Sequence, residues 1–420
     1  MKQRHRVLGM LILLFAITYL DRVSISVAGP RMQQDLHISP VGWGWVTGIF
    51  VLSYCLFEIP TGALGDRIGA RRVLTRIVLW WSAFTSLTGL ASNYYFLLIT
   101  RFCFGAGEAG AFPNSAIVVS RWFPPTQRAS ISGITLMASQ IGGAIAPLLI
   151  VPIQMHYGWR ASFYAFGVLG VAWATVWYVW FRDSPAEMPG VSPEELQEIA
   201  PPQTAHAHRF PWRIALRSPS VLSLLVTAFC YVYAYTFFQT WFHTFLVKGR
   251  GFSEGSLVLS TLPYIIAAFA NLAGGAASDA LVRRFGLKWG RRAIGIAGLG
   301  CAALFTLAAM ITRRPILTLV LLTVVYGGIT FQQSGVFGVC LDIGHEHAGA
   351  MVGLMNTSSQ FGGLLSSVAY GYIVSRFGSY DAPFVPMAAL LFLGAMLWFK
   401  VDASEKLTAT LEALPAPLGA

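Results

Sequence analysis

Four charged residues lie inside apolar stretches that are long enough to cross a membrane. Asp21 and Arg22 are adjacent in the first stretch, and Arg101 and Glu108 are seven residues apart in the fourth. Seven residues is nearly two helical turns, so Arg101 and Glu108 share a face about 10.5 Å apart along the axis. Ionisable groups within a membrane span face a cavity or one another and mark the path of an ion or substrate. This pattern indicates a site for a charged solute.

The chemistry of such a site follows from its charge balance. Two acids and two arginines cancel, so an added carboxylate substrate requires one proton on an acid to keep the balance. The planar guanidinium of arginine binds a carboxylate through two hydrogen bonds and stays charged. The set therefore predicts proton–anion symport. The alternative is four charges in static structural pairs with no role in coupling.

The composition places these charges in a membrane protein. Only 11% of the 420 residues are charged and 55% are hydrophobic, with a mean hydropathy of +0.61. A soluble chain of this size needs more charge to cover its surface, so a cytosolic enzyme, a disordered protein and a disulfide scaffold are excluded. The net charge of +11 does not indicate nucleic-acid binding, because the basic residues cluster between apolar runs, as in cytoplasmic loops.

Apolar runs of spanning length recur twelve times along the chain. They lie near 7–29, 41–63, 73–92, 95–120, 129–151, 160–181, 218–246, 256–277, 293–312, 315–341, 348–374 and 381–400. Lys and Arg concentrate on the loops of one side, which predicts that both termini are cytoplasmic. All five cysteines fall inside apolar stretches without a CxxC pair, so buried inert thiols are expected.

One hydrophilic stretch divides the predicted spans six and six. We predict an N-terminal six-helix bundle at 1–182, a cytoplasmic linker at 183–217, a C-terminal six-helix bundle at 218–402 and a cytoplasmic tail at 403–420. Within the linker, SPEELQEIA at 192–200 has a capping serine, a first-turn proline and early acids, which predicts a short surface helix. The halves repeat one another, because Gly62 and Gly275 each precede an acid by four residues and a basic cluster follows.

The first of these repeats resembles the loop signature of the major facilitator superfamily. The matching residues are Gly62, Asp66, Arg67, Gly69, Arg71 and Arg72. The glycines permit close approach and a tight turn, and Asp66 can accept hydrogen bonds from arginine and from helix N-termini. We expect these residues to latch one gate state, with Glu58 and Asp279 as gate-side partners. The alternative is that the arginines only anchor the topology.

Two further segments resemble the anion:cation symporter family of that superfamily. They are ITYLDRVSISVAGP at 17–30 and RFCFGAGEAGAFPN at 101–114, the second followed by SRWFPPTQRA. The resemblance implies an all-α membrane protein with twelve transmembrane helices in two pseudo-symmetric six-helix bundles. It also implies that Arg22 binds the substrate carboxylate, that Asp21 and Glu108 carry protons, and that Arg101 is the partner of Glu108.

A sugar acid would also need hydroxyl partners. Tyr19 and Tyr54 resemble substrate-lining tyrosines of sugar-acid carriers, and the other polar candidates within spans are Gln140, Gln332, Gln333, Ser334, Asn356, Ser359 and Gln360. These side chains could instead hold helices together. Span seven contains TWFHTFL, where the family often has TWFPTYL, so His243 replaces a helix-breaking proline. His243 is either a pH-sensitive group or a hydrogen-bonded histidine near the outer interface.

The sequence therefore predicts a monomeric transporter in a bacterial inner membrane that imports an organic anion, preferentially a sugar acid, with protons. Its partners are the small anion, protons and the lipid bilayer, without nucleic acid, cofactor or metal. His345 and His347 lack the HExxH spacing, and we expect no enzymatic activity. Alternatives are an exporter, a carrier of aromatic or dicarboxylic acids, and a membrane sensor on a transporter scaffold.

Overall fold

The computed structural model describes residues 2–199, 212–344 and 348–405, which form helices and turns without a strand. Its described residues divide into two compact units. The first unit comprises residues 1–205 with 239–261, and the second comprises 206–238 with 262–420. The predicted boundaries at 182, 217 and 402 stay a prediction.

Seven long helices build the first unit. They are α1 (Gln3–Asp35), α2 (Pro40–Ile68), α3 (Ala70–Gly89), α4 (Tyr94–Glu108), α5 (Ala111–Trp122), α6 (Pro125–Tyr157) and α7 (Trp159–Trp180). A 3₁₀ turn at Pro185–Glu187 and α8 (Pro193–Glu198) follow. The predicted linker helix is confirmed, because Ser192 accepts from the backbone N–H of Glu195 at the start of α8.

The second half of the chain begins with α9 (Trp212–Ala215), α10 (Pro219–Thr240) and α11 (Phe242–Thr244). A π turn at Phe245–Gly249 and a 3₁₀ turn at Gly255–Ser260 precede α12 (Thr261–Ile311), α13 (Pro315–Gly344), α14 (Ala348–Phe377) and α15 (Phe384–Leu397). The long α12 bends at Gly286, whose φ is +77°. Although His243 replaces the helix-breaking proline, span seven is still broken, because α10 ends at Thr240, before His243 in α11.

All twelve predicted spans fall on helical segments. Seven described helical stretches are long and apolar enough to cross a membrane, and one of them, Gly255–Ile311, contains both the eighth and the ninth predicted span. The number of crossings and the cytoplasmic side of the termini stay predictions.

Two glycines with positive φ shape the part of the first unit that carries the charges. Gly69, at φ +88°, makes the predicted tight turn between α2 and α3. Gly110, at φ +89°, interrupts the single helix predicted for 95–120, so α4 ends at Glu108 and α5 begins at Ala111. Only glycine adopts this conformation without a steric penalty. The break places Glu108 at the end of a helix rather than in its middle.

Helix packing in the first unit is closest for the pairs α1–α6, α3–α7 and α2–α4. Gly142 of α6 lies directly against the backbone of Ala16 on α1, and small residues allow such close approach in membrane helices. Stacked rings of Trp173, Trp177 and Phe181 run along α7, with centroids 5.1 and 3.9 Å apart. This packing fixes α1 and α4, the helices that carry the four charged residues.

Candidate functional site

The centre of the candidate site is an ion pair between Arg22 and Glu108. The Nε of Arg22, in the middle of α1, donates a hydrogen bond to Oε1 of Glu108. The Glu108 side chain is 1% exposed, whereas that of Arg22 is 18% exposed. Arg22 therefore connects a buried carboxylate to accessible space.

The observed pair differs from the expected pair of Arg101 with Glu108. The Arg101 guanidinium instead packs on aromatic rings, with Cζ 4.4 Å from the centroid of Phe104 and 5.0 Å from that of Phe50. Arg101 and Glu108 lie on the same helix, whereas Arg22 approaches Glu108 from α1. Helix packing therefore assigns the partner of Glu108.

Three aromatic rings surround the Arg22 guanidinium. Its Cζ lies 4.8 Å from the ring centroid of Tyr54 and 5.4 Å from those of Tyr19 and Phe50. Rings at such distances stabilise a cation through their quadrupoles. The Nη2 of Arg22 is buried and has no hydrogen-bond partner among the described residues. Arg22 therefore retains an unused donor that an anion could engage.

Asp21, next to Arg22, is buried without a hydrogen bond. Its side chain is 2% exposed, and neither carboxylate oxygen has a partner among the described residues. Asp21 and Arg101 interact electrostatically with each other and with Glu108. A buried ionised carboxylate without a hydrogen bond is costly, so such a group in a native protein calls for an explanation such as a functional role. Asp21 is suited to hold a proton.

The remaining predicted candidates of this unit lie on neighbouring helices. Tyr19 and Tyr54 are buried beside Arg22. Gln140 is 5% exposed on α6, and its Oε1 has no partner among the described residues. Glu58 is partly buried and interacts electrostatically with Tyr54. Sequence reasoning missed Phe50, which contacts both arginines and could have been found by its helical spacing of four from Tyr54.

The second unit contains a neutral polar cluster on α12 and α13. Ser334 Oγ donates to Asn271 at 2.8 and 2.9 Å, through Oδ1 and the backbone oxygen respectively, and Asn271 Nδ2 donates to Gln333 Oε1 at 3.4 Å. Gln332 is fully buried, and neither of its amide atoms has a partner in the described structure. Sequence reasoning missed Asn271, although an asparagine within an apolar span was a usable signal.

Two of the candidates on α14 share a hydrogen bond. Ser359 Oγ donates to the backbone oxygen of Asn356 at 2.7 Å. Asn356 and Gln360 are partly buried. An intrahelical serine bond of this kind is common in membrane helices, so it neither requires nor excludes a ligand.

His243 is fully buried and hydrogen-bonded at both ring nitrogens. Its Nδ1 lies 2.9 Å from Ser26 Oγ, and its Nε2 lies 2.8 Å from Ser260 Oγ. Ser26 lies one turn after Arg22 on α1. His243, Ser26 and Ser260 all belong to the first unit. Of the two interpretations of His243, the structure shows the hydrogen-bonded histidine.

The predicted latch residues of the first repeat are tied to the end of α7. The Arg71 backbone N–H donates to Asp183 Oδ1 at 2.9 Å, and its Nε donates to the Tyr178 backbone oxygen at 2.8 Å. Gly62 lies against Pro113, while Arg67 and Arg72 are exposed. The side chain of Asp66 lies outside the described part of the structure. Sequence reasoning missed Asp183, an acid immediately after the sixth predicted span.

In the second repeat, Arg291 bridges two acids. Its Nη1 lies 3.3 Å from Asp279 Oδ1, and its Nε lies 3.0 Å from Asp342 Oδ2. Ser278 accepts a further hydrogen bond of 2.7 Å from Nη1. Asp279 therefore takes part in a charged cluster on α12 and α13.

No cluster of three or more metal-ligating side chains occurs among the residues that the structure describes. His345 and His347 lie outside those residues.

Comparison with known proteins identifies the family of this chain. The sequence profile of the Major Facilitator Superfamily matches residues 11–367. The chain belongs to this superfamily. A solved bacterial homolog of the human lysosomal transporter Spinster, in an inward-facing and unoccupied conformation, aligns over 99% of each chain with a TM-score of 0.78 and 21% identity. That likeness supports the fold alone.

Relatives within the superfamily are anion transporters. The probable sulfoacetate transporter SauU of Cupriavidus necator is 33% identical over 94% of this chain and 93% of its own length. The hexuronate transporter of Bacillus subtilis is 30% identical over 91% of each chain. The protein is thus a multi-pass membrane transporter of the major facilitator superfamily rather than an enzyme, as the sequence predicts.

Proposed function

We propose that this transporter takes up an organic anion together with protons by alternating access, and that the anion is a sugar acid. The observation that carries the proposal is the Arg22–Glu108 pair inside the aromatic enclosure of Tyr19, Phe50 and Tyr54. The pair combines an anion-binding guanidinium, an unused donor and a buried acid that can accept a proton.

Competition for Arg22 would couple the two solutes. An ionised Glu108 engages the guanidinium through Nε. A substrate carboxylate needs the same guanidinium N–H donors. Two carboxylates around one guanidinium would repel one another in a medium of low dielectric constant. Protonation of Glu108 removes that repulsion and frees Arg22 for the substrate. The substrate therefore binds best when Glu108 carries a proton.

Asp21 is the second proposed proton carrier. It is buried beside Arg22 and has no hydrogen bond among the described residues. With both acids protonated, the two arginines would leave a positive site for a monovalent or divalent anion. Arg101 would then balance the charge from its position between Phe50 and Phe104.

Two observations support a hydroxylated anion. The hexuronate transporter of Bacillus subtilis is a relative along almost the whole chain. Gln140 in the first unit and Gln332 in the second are each a buried amide with unused hydrogen-bonding atoms, and either amide could bind a hydroxyl group of a sugar acid.

A compact dianion is the second candidate substrate. Arg101 is 2% exposed, and its Nε has no hydrogen-bond partner in the described structure. It could hold a second anionic group while Arg22 holds the first. The relationship to the probable sulfoacetate transporter supports this candidate, as it would a dicarboxylic acid.

Uptake of labelled anions into proteoliposomes tests the proposal. With an acidic exterior, we expect accumulation of a hexonate or hexuronate above its external concentration, and collapse of that accumulation when a protonophore dissipates the gradient. Sulfoacetate and malonate serve as the compact dianions, and empty liposomes serve as the control. Equal accumulation with and without the pH gradient would contradict proton coupling, and accumulation of the dianions alone would exclude the sugar-acid assignment.

We also propose that the protein works as a monomer in a bacterial cell membrane with both termini in the cytoplasm. The distribution of Lys and Arg between the loops supports that orientation.

A further inference from the structure

A cavity of about 330 Å³ opens on the first unit, and its lining includes Gly107, the residue before Glu108 of the charged site. Three helices line it: α2 contributes Phe57, Pro60, Thr61 and Leu64, α3 contributes Arg76 and Trp80, and α4 contributes Ala106 and Gly107. All but two of these residues, Arg76 and Thr61, have apolar side chains or none, so the cavity is an apolar groove with one cationic group.

Arg76 has no function in the transport site or the latch. Its side chain is exposed, and it makes no ion pair or hydrogen bond among the described residues. Arg76 lies six residues after the first residue of α3, about 9 Å along the helix axis. Because Arg76 lies near the predicted cytoplasmic end of its span, we expect its guanidinium to lie close to the lipid head groups.

The groove is formed by well-packed elements. Trp80 lies one turn beyond Arg76, and its indole Nε1 donates to the Cys103 backbone oxygen at 2.8 Å. The indole packs directly on Gly107, so any larger residue there would displace it. The ring of Trp80 also packs against Phe84 with centroids 5.3 Å apart. The groove is therefore a preformed surface feature rather than a gap between loose side chains.

The apolar walls and the single guanidinium of the groove are complementary to an amphiphile with a negatively charged head group. An unpaired guanidinium in a bilayer seeks phosphate oxygens, which it binds through two hydrogen bonds. The apolar walls offered by Phe57, Leu64 and Trp80 match an acyl chain. A phospholipid without a positive head-group charge complements the single Arg76 best, because an ammonium group would bring a second cation close to it. Basic pockets between membrane helices on the cytoplasmic side bind anionic lipids in this way.

We propose that the groove formed by α2, α3 and α4 binds one anionic phospholipid, with its phosphate on Arg76 and an acyl chain along Phe57 and Trp80. On the predicted orientation, the lipid belongs to the cytoplasmic leaflet. The groove ends at Gly107, and the next residue is Glu108 of the transport site. A lipid in the groove would therefore contact the end of α4 that carries the proposed proton acceptor.

Native mass spectrometry of the detergent-solubilised full chain tests the proposal. The protein is titrated with dioleoyl phosphatidylglycerol and, separately, with dioleoyl phosphatidylcholine. We expect a first phosphatidylglycerol to bind at concentrations at which phosphatidylcholine does not. Arg76→Gln should weaken that binding about fivefold, because a Lys or Arg near an anionic lipid contributes about 1 kcal/mol.

Two further variants separate a built site from general attraction. Arg283→Gln removes the same charge from an exposed position in the second unit and should leave the first binding step unchanged. Ala106→Leu keeps every charge but fills the groove, and it should weaken phosphatidylglycerol binding as Arg76→Gln does. Equal binding of the two lipids would overturn the proposal. It would also fall if Arg76→Gln bound no more weakly than Arg283→Gln, or if Ala106→Leu bound phosphatidylglycerol like the unmodified protein.

Discussion

The two units of this transporter handle polar groups inside the membrane in different ways. The first unit buries Asp21, Arg101 and Glu108 with Arg22 among aromatic rings. The cluster on α12 and α13 of the second unit consists of amides and a hydroxyl, with Asn271 joining Gln333 and Ser334. The acids of the first arrangement can take up and release protons. The neutral groups of the second can form hydrogen bonds with hydroxyls without changing the net charge.

The difference also appears in the energetics. Removing one member of a buried ion pair leaves an uncompensated charge and costs about 3–5 kcal/mol. Removing one neutral hydrogen-bonding group costs about 0.5–1.5 kcal/mol. Affinity and coupling should therefore depend steeply on the first unit, and substrate selectivity more gently on the second.

The largest expected effect is at Arg22. Arg22→Lys keeps a positive charge but loses the planar fork, and it should weaken binding of the transported anion about a hundredfold. Isothermal titration or thermal shift of the purified protein measures the change. Arg283→Lys is the matched control in the second unit and should bind normally. Near-normal affinity in Arg22→Lys would place the anion elsewhere and remove the contrast between the units.

Glu108 should govern coupling rather than binding. Glu108→Gln imitates the protonated acid permanently, so the variant should bind the anion and exchange it across the membrane. It should fail to accumulate the anion in response to a pH gradient. Uptake into liposomes with an acidic exterior, with and without unlabelled anion inside, distinguishes accumulation from exchange.

The matched control for that measurement is Glu187→Gln, which neutralises an exposed acid on the linker. If Glu108→Gln still accumulated the anion as this control does, the coupling proton would reside elsewhere. Asp21 would then be the next candidate.

Gln332 offers a test of the neutral polar cluster on α12 and α13. Gln332→Met keeps the length of the side chain and removes its amide, so affinity for a hydroxylated acid should fall about three- to tenfold. Affinity for an acid without hydroxyl groups should be unchanged. Gln127→Met, at an exposed position, is the control. Equal losses for both acids would mean that Gln332 supports packing instead of selectivity.

The latch should affect speed without affecting affinity. Asp66→Asn is expected to slow uptake several-fold while leaving the dissociation constant of the anion unchanged, because the loop between α2 and α3 is some turns away from Arg22. Initial uptake rates and equilibrium binding, measured on one preparation, separate the two quantities. If Asp66→Asn protein that reaches the membrane had normal turnover, the loop would only set the membrane topology and would not act as a latch.

The smallest expected effect concerns the linker of the first unit. Glu198 pairs with Lys2 and with Arg4, and its hydrogen bond from Lys2 lowers the pKa of the Glu198 carboxyl below its usual value. A lowered pKa in the folded state stabilises the protein above the unfolded pKa of about 4.3, and the stabilisation is lost as the pH falls through the folded value. Thermal unfolding of Glu198→Gln should differ slightly from the unmodified protein at pH 7, and the two should converge below about pH 4. A difference that persisted at low pH would indicate a packing effect.

The amino-acid sequence by itself determined the class of this protein and singled out the four charged residues of its candidate site. Charged residues within apolar runs can be recognised from the sequence alone. Because burying a charge in a membrane is costly, such residues indicate a functional site. Predictions that depend only on residues close together in the sequence were also confirmed. Gly69 makes the predicted turn, and Ser192 caps the predicted linker helix. The repeated loop identified the superfamily that the sequence profile shows.

The tertiary structure alone decided which groups meet. Residues on one helix face were expected to pair, yet Glu108 pairs with Arg22 across α1 and α4, while Arg101 turns to Phe50 and Phe104. Asp183 meets the backbone of Arg71, 112 positions away, and His243 meets Ser26, 217 positions away. Such partners depend on how helices distant in sequence pack together, and hydrophobic periodicity carries no information about that packing.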